Sequence, residues 1–209
     1  MKNPLSFLLS MFFLVFLTGF LAGYFAERTG MVYTQSEIDR LRNQVDNMQL
    51  QEMFITGEKV DCKIMYSTMG SLSYSLYDMV NRLKSTSPDA PQFYENKKQA
   101  DFLSLKAWIV AKTIRETCTG DIMPILFVYS SNCPECTMQD SVLQNVKDKY
   151  PGVLVYAIDF NLNESSIKLV KDAYEIKSTP AMIIDQSLYQ EMSQEELESI
   201  ICQKINCIQ

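Results

Sequence analysis

The sequence predicts an α/β domain preceded by a membrane-spanning helix and an α-helical hairpin. Three observations carry that prediction. From residue 122 onward, short apolar runs rich in β-forming residues alternate with stripes at helical spacing. Two longer apolar stripes, separated by a proline-containing link, come before them. Leu5 to Phe25 is an almost unbroken apolar run with no charge between Lys2 and Glu27. The chain divides accordingly into an anchor (1–26), a juxtamembrane helix and linker (27–61), a helical hairpin (62–120) and the α/β domain (121–209).

Composition narrows the function. The 209 residues leave room for one ordinary domain plus an appendage. With 47% hydrophobic and 21% charged residues the chain is globular rather than disordered. A net charge of -6 and no cluster of Lys and Arg exclude a nucleic-acid partner. The absence of histidine removes Ser-His-Asp and Cys-His catalysis and every metal site that needs imidazole. Six cysteines remain: Cys62, Cys118, Cys133, Cys136, Cys202 and Cys207. An even number suits three disulfides in an oxidising compartment, but sequence alone does not choose their pairing.

At ~1.5 Å rise per residue, the apolar run from Leu5 is long enough to span the roughly 30 Å hydrocarbon core of a bilayer. Its rival is a cleaved signal peptide, whose apolar region is typically ~7–15 residues and ends in a small-x-small site. Cleavage after Ala22, Gly23 or Ala26 would put Phe20, Leu21 or Tyr24 three residues from the cut, which favours the uncleaved anchor. Lys2 favours an inside N-terminus, while Arg28, Arg40 and Arg42 pull the other way. The short tail, the even cysteine count and the CxxC motif described below tip the expectation towards a single-pass protein with its body on the extracytoplasmic side.

Thr34 and Glu37 form a capping-box pattern ahead of a helix with Ile38, Leu41, Val45, Met48 and Ile55 on one face. Glu52 interrupts it, and two heptads are too few for a coiled coil, so an amphipathic helix packed on its own domain is expected rather than a dimerising stalk. Met65, Met69, Leu72, Leu76, Met79 and Leu83 make the first hairpin stripe. Ser85 to Pro91 stops it, because proline cannot continue a helix and restricts the residue before it. Phe93, Ala100, Leu103, Ala107, Val110 and Ile114 make the second. An antiparallel pair brings Cys62 and Cys118 together at its open end, where they suit a disulfide or two buried free thiols. The Met-rich stripe reads as core, with a client-binding groove as the alternative.

After the strand Ile125–Tyr129 comes Cys133-Pro134-Glu135-Cys136, then a helix carrying Val142, Leu143, Val146 and Tyr150. A second buried strand runs from Val153 to Ile158, followed by a helix with Ile167, Val170 and Tyr174. Thr179-Pro180 precedes a strand over Ala181–Ile184. Gln186 and Ser187 turn into a short strand at Leu188 and Tyr189, and Ser193 caps a last helix with Leu197, Ile200 and Ile201. A lone CxxC is a weak motif, but CxxC between a strand and a helix with a later Thr-Pro is much stronger.

In this order of elements residues 122–204 resemble the thioredoxin superfamily, and the tetrapeptide is closest to the glutaredoxin-like Cys-Pro-x-Cys form. The resemblance implies a three-layer α/β/α domain with a central mixed sheet. It also implies a cis Thr179-Pro180 bond, with these two residues presenting backbone groups to an extended client. The chain departs from the family twice: Asn132 stands where thioredoxins carry Trp, and Phe127 where they carry a buried acid.

The chemistry fits these residue types. Exchange needs a thiolate that attacks a disulfide and a second thiol that resolves the mixed disulfide. Cys133 at a helix N-terminus lies near unpaired N–H groups that lower a thiol pKa, and Pro134 suits the first turn because it lacks an N–H. Cys136, one turn inside, is the resolving thiol. Glu135 opposes thiolate formation. The expected activity is thiol-disulfide oxidoreduction on protein thiols, with an unidentified membrane or soluble redox partner and no cofactor or metal. The alternative is a redox-inactive binding or assembly module. Four thiolates from Cys133, Cys136, Cys202 and Cys207 could also hold zinc, though C-x4-C is a loose half-site. Cys202 and Cys207 read as a staple for the tail or as a second redox pair. Asn163-Glu164-Ser165 matches a glycosylation sequon.

Overall fold

The computed structural model of the chain describes residues 11–21, 23, 36–47, 62–84, 93–118, 122–205 and 207. Met1–Asp39 and Arg40–Gln209 are two separate compact units, and the second holds all six cysteines. The expected membrane anchor is not supported. Among the described residues no helix is long and apolar enough to cross a membrane. The expected single-pass arrangement with an extracytoplasmic body rested on that anchor and on apolar composition, and it is not supported either. Residues 1–10, 22 and 24–26 of that expected anchor lie outside the described residues, as do Thr34 and the 85–92 link.

The α/β domain is built on β1 (Met123–Tyr129), β2 (Val153–Asp159), β3 (Ala181–Ile184) and β4 (Ser187–Tyr189), in the sheet order β2-β1-β3-β4. β1 and β2 are parallel, with Phe127 opposite Ala157, and β3 runs antiparallel to β1, with Met182 opposite Phe127. Every residue of β1 and β2 is buried, so both faces are covered, which is why these strands read as continuous apolar runs rather than alternating ones. The sheet is therefore mixed. A parallel pair needs a crossover, and α3 (Pro134–Lys149) supplies it between β1 and β2. β3 turns into β4 through Asp185 and Gln186, both at positive φ (48° and 71°), the conformation that lets a two-residue hairpin follow strand twist. α4 (Ser165–Ala173) lies between β2 and β3 in the chain. α5 (Gln194–Cys202) opens with a complete capping box between Ser193 and Glu196.

The preceding helices are α1 (Cys62–Lys84) and α2 (Phe93–Cys118). A disulfide joins Cys62, the first residue of α1, to Cys118, the last of α2, so the helices run antiparallel. All six residues of the Met-rich stripe are buried, as are Ala100, Leu103, Ala107, Val110 and Ile114. This pair covers the open edge of β2. Ser73 Oγ of α1 donates to the Val155 carbonyl (3.2 Å), and the Asp159 N–H donates to the Asp101 carboxylate of α2 (2.9 Å). Side chains thus satisfy edge-strand groups that another strand would otherwise have to pair. Lys97 of α2 forms a buried ion pair with Asp159 and lies 5.2 Å from the centre of the Tyr129 ring. Trp108 packs edge-on against Tyr174 beyond α4. Within the second unit Leu41 and Val45 are buried, and Lys106–Asp46 (2.6 Å) and Arg42–Gln99 (3.1 Å) contacts link the helical residues 40–47 to α2.

Candidate active site

The site forms where β1 ends and α3 begins. Ser131 and Asn132 make the turn, and Asn132 takes φ 62°, a left-handed conformation that Asn tolerates better than most residues and a bulky β-branched or aromatic side chain tolerates poorly. That turn sets Cys133 as the N-cap of α3, with extended backbone and Pro134 in the first helical turn. Cys133 is half-buried, whereas Cys136 is 4% exposed, and the two are joined by a disulfide. The outer sulfur is thus the accessible one, and the inner sulfur is sheltered one helical turn on.

Several groups converge on the Cys133 sulfur. The Cys136 N–H donates to it at 3.0 Å. Thr179 Oγ1 lies 3.9 Å from it, and the Thr179 and Ser130 hydroxyls are hydrogen-bonded at 2.8 Å. Glu135 Oε2 also lies 3.9 Å away, so an anionic sulfur would meet one repulsive carboxylate among these donors. Glu135 is exposed and its field is screened by water. The Thr179-Pro180 bond is cis, as the resemblance implies, and Pro180 is buried. Exposed Met138 adds an apolar surface on the first turns of α3.

The helix behind the sulfurs is anchored on two sides. Gln139 is buried, and its Oε1 accepts from the Met192 N–H at 2.8 Å, tying α3 to the start of α5. Asp140, one turn beyond Cys136, accepts from the Tyr77 hydroxyl of α1 at 2.5 Å. Burial first, then the Asp140 charge, push the Tyr77 phenol far above its ordinary pKa. Burial raises Tyr129 as well, reinforced by Asp101, Asp159 and Asp140. Phe127 is fully buried and stacked with Tyr129 at 6.0 Å.

Cys133, Pro134, Glu135, Cys136, Thr179 and Pro180 therefore gather in one place, joined by Ser130, which the sequence reading does not single out. Ser130 carries no motif of its own, and only the pairing of β1 with β3 brings it to Thr179. Cys202 and Cys207 are joined by a disulfide elsewhere. Lys204, inside their loop, pairs with Asp185 at 2.7 Å, and Asp185 lies at the opposite end of β3 from Pro180. A four-thiolate zinc site would need Cys133, Cys136, Cys202 and Cys207 free, and all four sulfurs are in disulfides. Asn163 of the sequon is exposed just ahead of α4.

No protein-family profile and no curated protein matches the chain. Among solved structures it is similar to the germline-specific thioredoxin Deadhead of Drosophila melanogaster. That match is 18% identical, covers 44% of this chain and 89% of that one, and has a TM-score of 0.35. Mitochondrial thioredoxin 3 of Saccharomyces cerevisiae, in oxidised form, is 18% identical over 44% of this chain and 88% of its own, with a TM-score of 0.33. A structure of a ferredoxin:thioredoxin reductase complex with thioredoxin f2 matches at 20% identity over 46% of this chain and 84% of that one, with a TM-score of 0.35.

Proposed function

We propose that the chain is a protein thiol-disulfide oxidoreductase whose exchanging pair is Cys133 and Cys136. The observation that carries this reading is one half-exposed sulfur at a helix N-terminus, bonded to a sheltered one a turn inside, beside a cis Thr-Pro segment. In the reducing direction the Cys133 thiolate attacks a client disulfide, forming a mixed disulfide and expelling one client thiolate. Cys136, deprotonated, then attacks the Cys133 sulfur and releases the second client thiolate. Two electrons pass from the dithiol to the client, and the Cys133–Cys136 bond re-forms. The reverse sequence oxidises a client dithiol. Thr179 and Pro180 are the client-facing residues, a protein thiol or disulfide is the substrate class, and a separate dithiol or disulfide protein resets the pair.

The test is a Cys136→Ser variant, in which the mixed disulfide cannot resolve. Clients should accumulate covalently on Cys133 on a non-reducing gel and disappear in Cys133→Ala/Cys136→Ser, and wild-type protein should reduce insulin in the presence of dithiothreitol. No trapped species together with no insulin reduction would overturn the reading.

A further inference from the structure

We propose that Ser130 is a positioning residue for Cys133: it orients the Thr179 hydroxyl towards the sulfur and so sets how much of the reduced thiol is present as thiolate. This rests on the reading of Cys133 as the nucleophile. A hydroxyl has one proton to donate and two lone pairs to accept with. If the Thr179 proton went to Ser130, the Thr179 oxygen would turn lone pairs towards an anionic sulfur. When Ser130 donates instead, across the 2.8 Å contact, the Thr179 proton is released to point at the Cys133 sulfur 3.9 Å away. The negative sulfur of the reduced site selects this second arrangement, and each donor in the chain polarises the next.

The placement favours such a relay. Ser130 immediately follows β1, and Thr179 stands two residues before β3, which pairs with β1, so the sheet brings the two hydroxyls together. Both Ser130 and Thr179 are half-buried. In that setting a hydroxyl dipole acts more strongly than it would in water. It opposes Glu135, which lies equally far from the sulfur but is exposed and screened. The Cys136 N–H, the third group on the sulfur, is fixed by the helix and does not depend on Ser130.

The experiment measures the pH dependence of Cys133 alkylation in full-length Cys136→Ser protein with the other two disulfides intact. Adding Ser130→Ala should move the midpoint up by about half a unit, so that alkylation well below the midpoint slows about threefold. Adding Thr179→Val should move it up at least as far. Combining Ser130→Ala with Thr179→Val should add nothing to Thr179→Val alone, because Ser130 acts only through that hydroxyl. Ser130→Thr, which keeps a hydroxyl, should restore the midpoint. An unmoved midpoint in Ser130→Ala, or a double variant whose shifts simply add, would overturn the proposal. Alkylation requires no client, so a shifted midpoint with neither client trapping nor insulin reduction would sink the proposed function and leave this inference standing.

Discussion

The Cys62–Cys118 and Cys133–Cys136 disulfides share a bond type but differ in span and surroundings. Cys62–Cys118 ties two helix ends separated by 56 residues in the chain, whereas Cys133–Cys136 spans a separation of 3. In the loop-entropy account the first restricts the unfolded chain enough to stabilise the fold by about 4 kcal/mol, and the second by about 2 kcal/mol. Surroundings reinforce the contrast. The hairpin is held over the β2 edge by buried polar contacts to Val155 and Asp159, while the outer sulfur of the second pair is half-exposed among hydroxyls, an N–H and a carboxylate. The proposed function assigns opening and closing to the bond whose loss costs the fold less.

The largest expected effect is at the edge. Lys97→Met leaves Asp159 charged in the interior without its ion-pair partner and should cost about 3–5 kcal/mol in a denaturant titration. A cost under about 1 kcal/mol would remove the buried pair from the account of the edge. Next come the disulfides themselves. Cys62→Ser/Cys118→Ser should lower stability by about 4 kcal/mol, and Cys133→Ser/Cys136→Ser by no more than about 2 kcal/mol while abolishing insulin reduction. Equal losses would erase the division of labour.

Tyr77→Phe sharpens the link between the two regions, because its hydroxyl donates a hydrogen bond from α1 to Asp140 on the helix carrying the sulfurs. Losing a hydrogen bond to a charged group should cost about 1.5 kcal/mol by thermal or chemical unfolding. Smallest is an acid effect at the far end of the sheet. Hydrogen bonding from Lys204, then the charge of Arg115, holds the Asp185 carboxyl below its ordinary value. A depressed folded pKa stabilises above the unfolded value of about 4, and that contribution fades as pH falls through the folded one. Wild type and Asp185→Asn should therefore differ in stability near neutrality and converge in acid. A gap that persists to the lowest pH would assign the difference to packing instead.

The strands, the helices of the α/β domain and the CxxC site were legible because each rests on local pattern. Continuous apolar runs marked β1 and β2, Pro134 the start of α3, and Ser193 the start of α5. The helical pair was legible in its stripes, yet its purpose was not. Lys97, Asp101, Ser104 and Trp108 form a second, polar face on α2 at helical spacing, and all four are buried. Read alone, that face looks solvated; its burial follows from where the β2 edge lies, which is a tertiary fact. Ser130 escaped for the same reason, since strand pairing and not spacing brings it to Thr179. The anchor failed differently: an apolar run reports hydrophobicity alone, and among the described residues no helix is both long and apolar enough to cross a membrane.

The most direct test of the central claim is a redox titration of the full-length protein with each cysteine mapped by mass spectrometry after thiol labelling. The account predicts that Cys133–Cys136 opens first, at a potential where Cys62–Cys118 remains closed and the circular dichroism of the fold is unchanged. Opening of Cys62–Cys118 before or together with Cys133–Cys136, accompanied by unfolding, would contradict it.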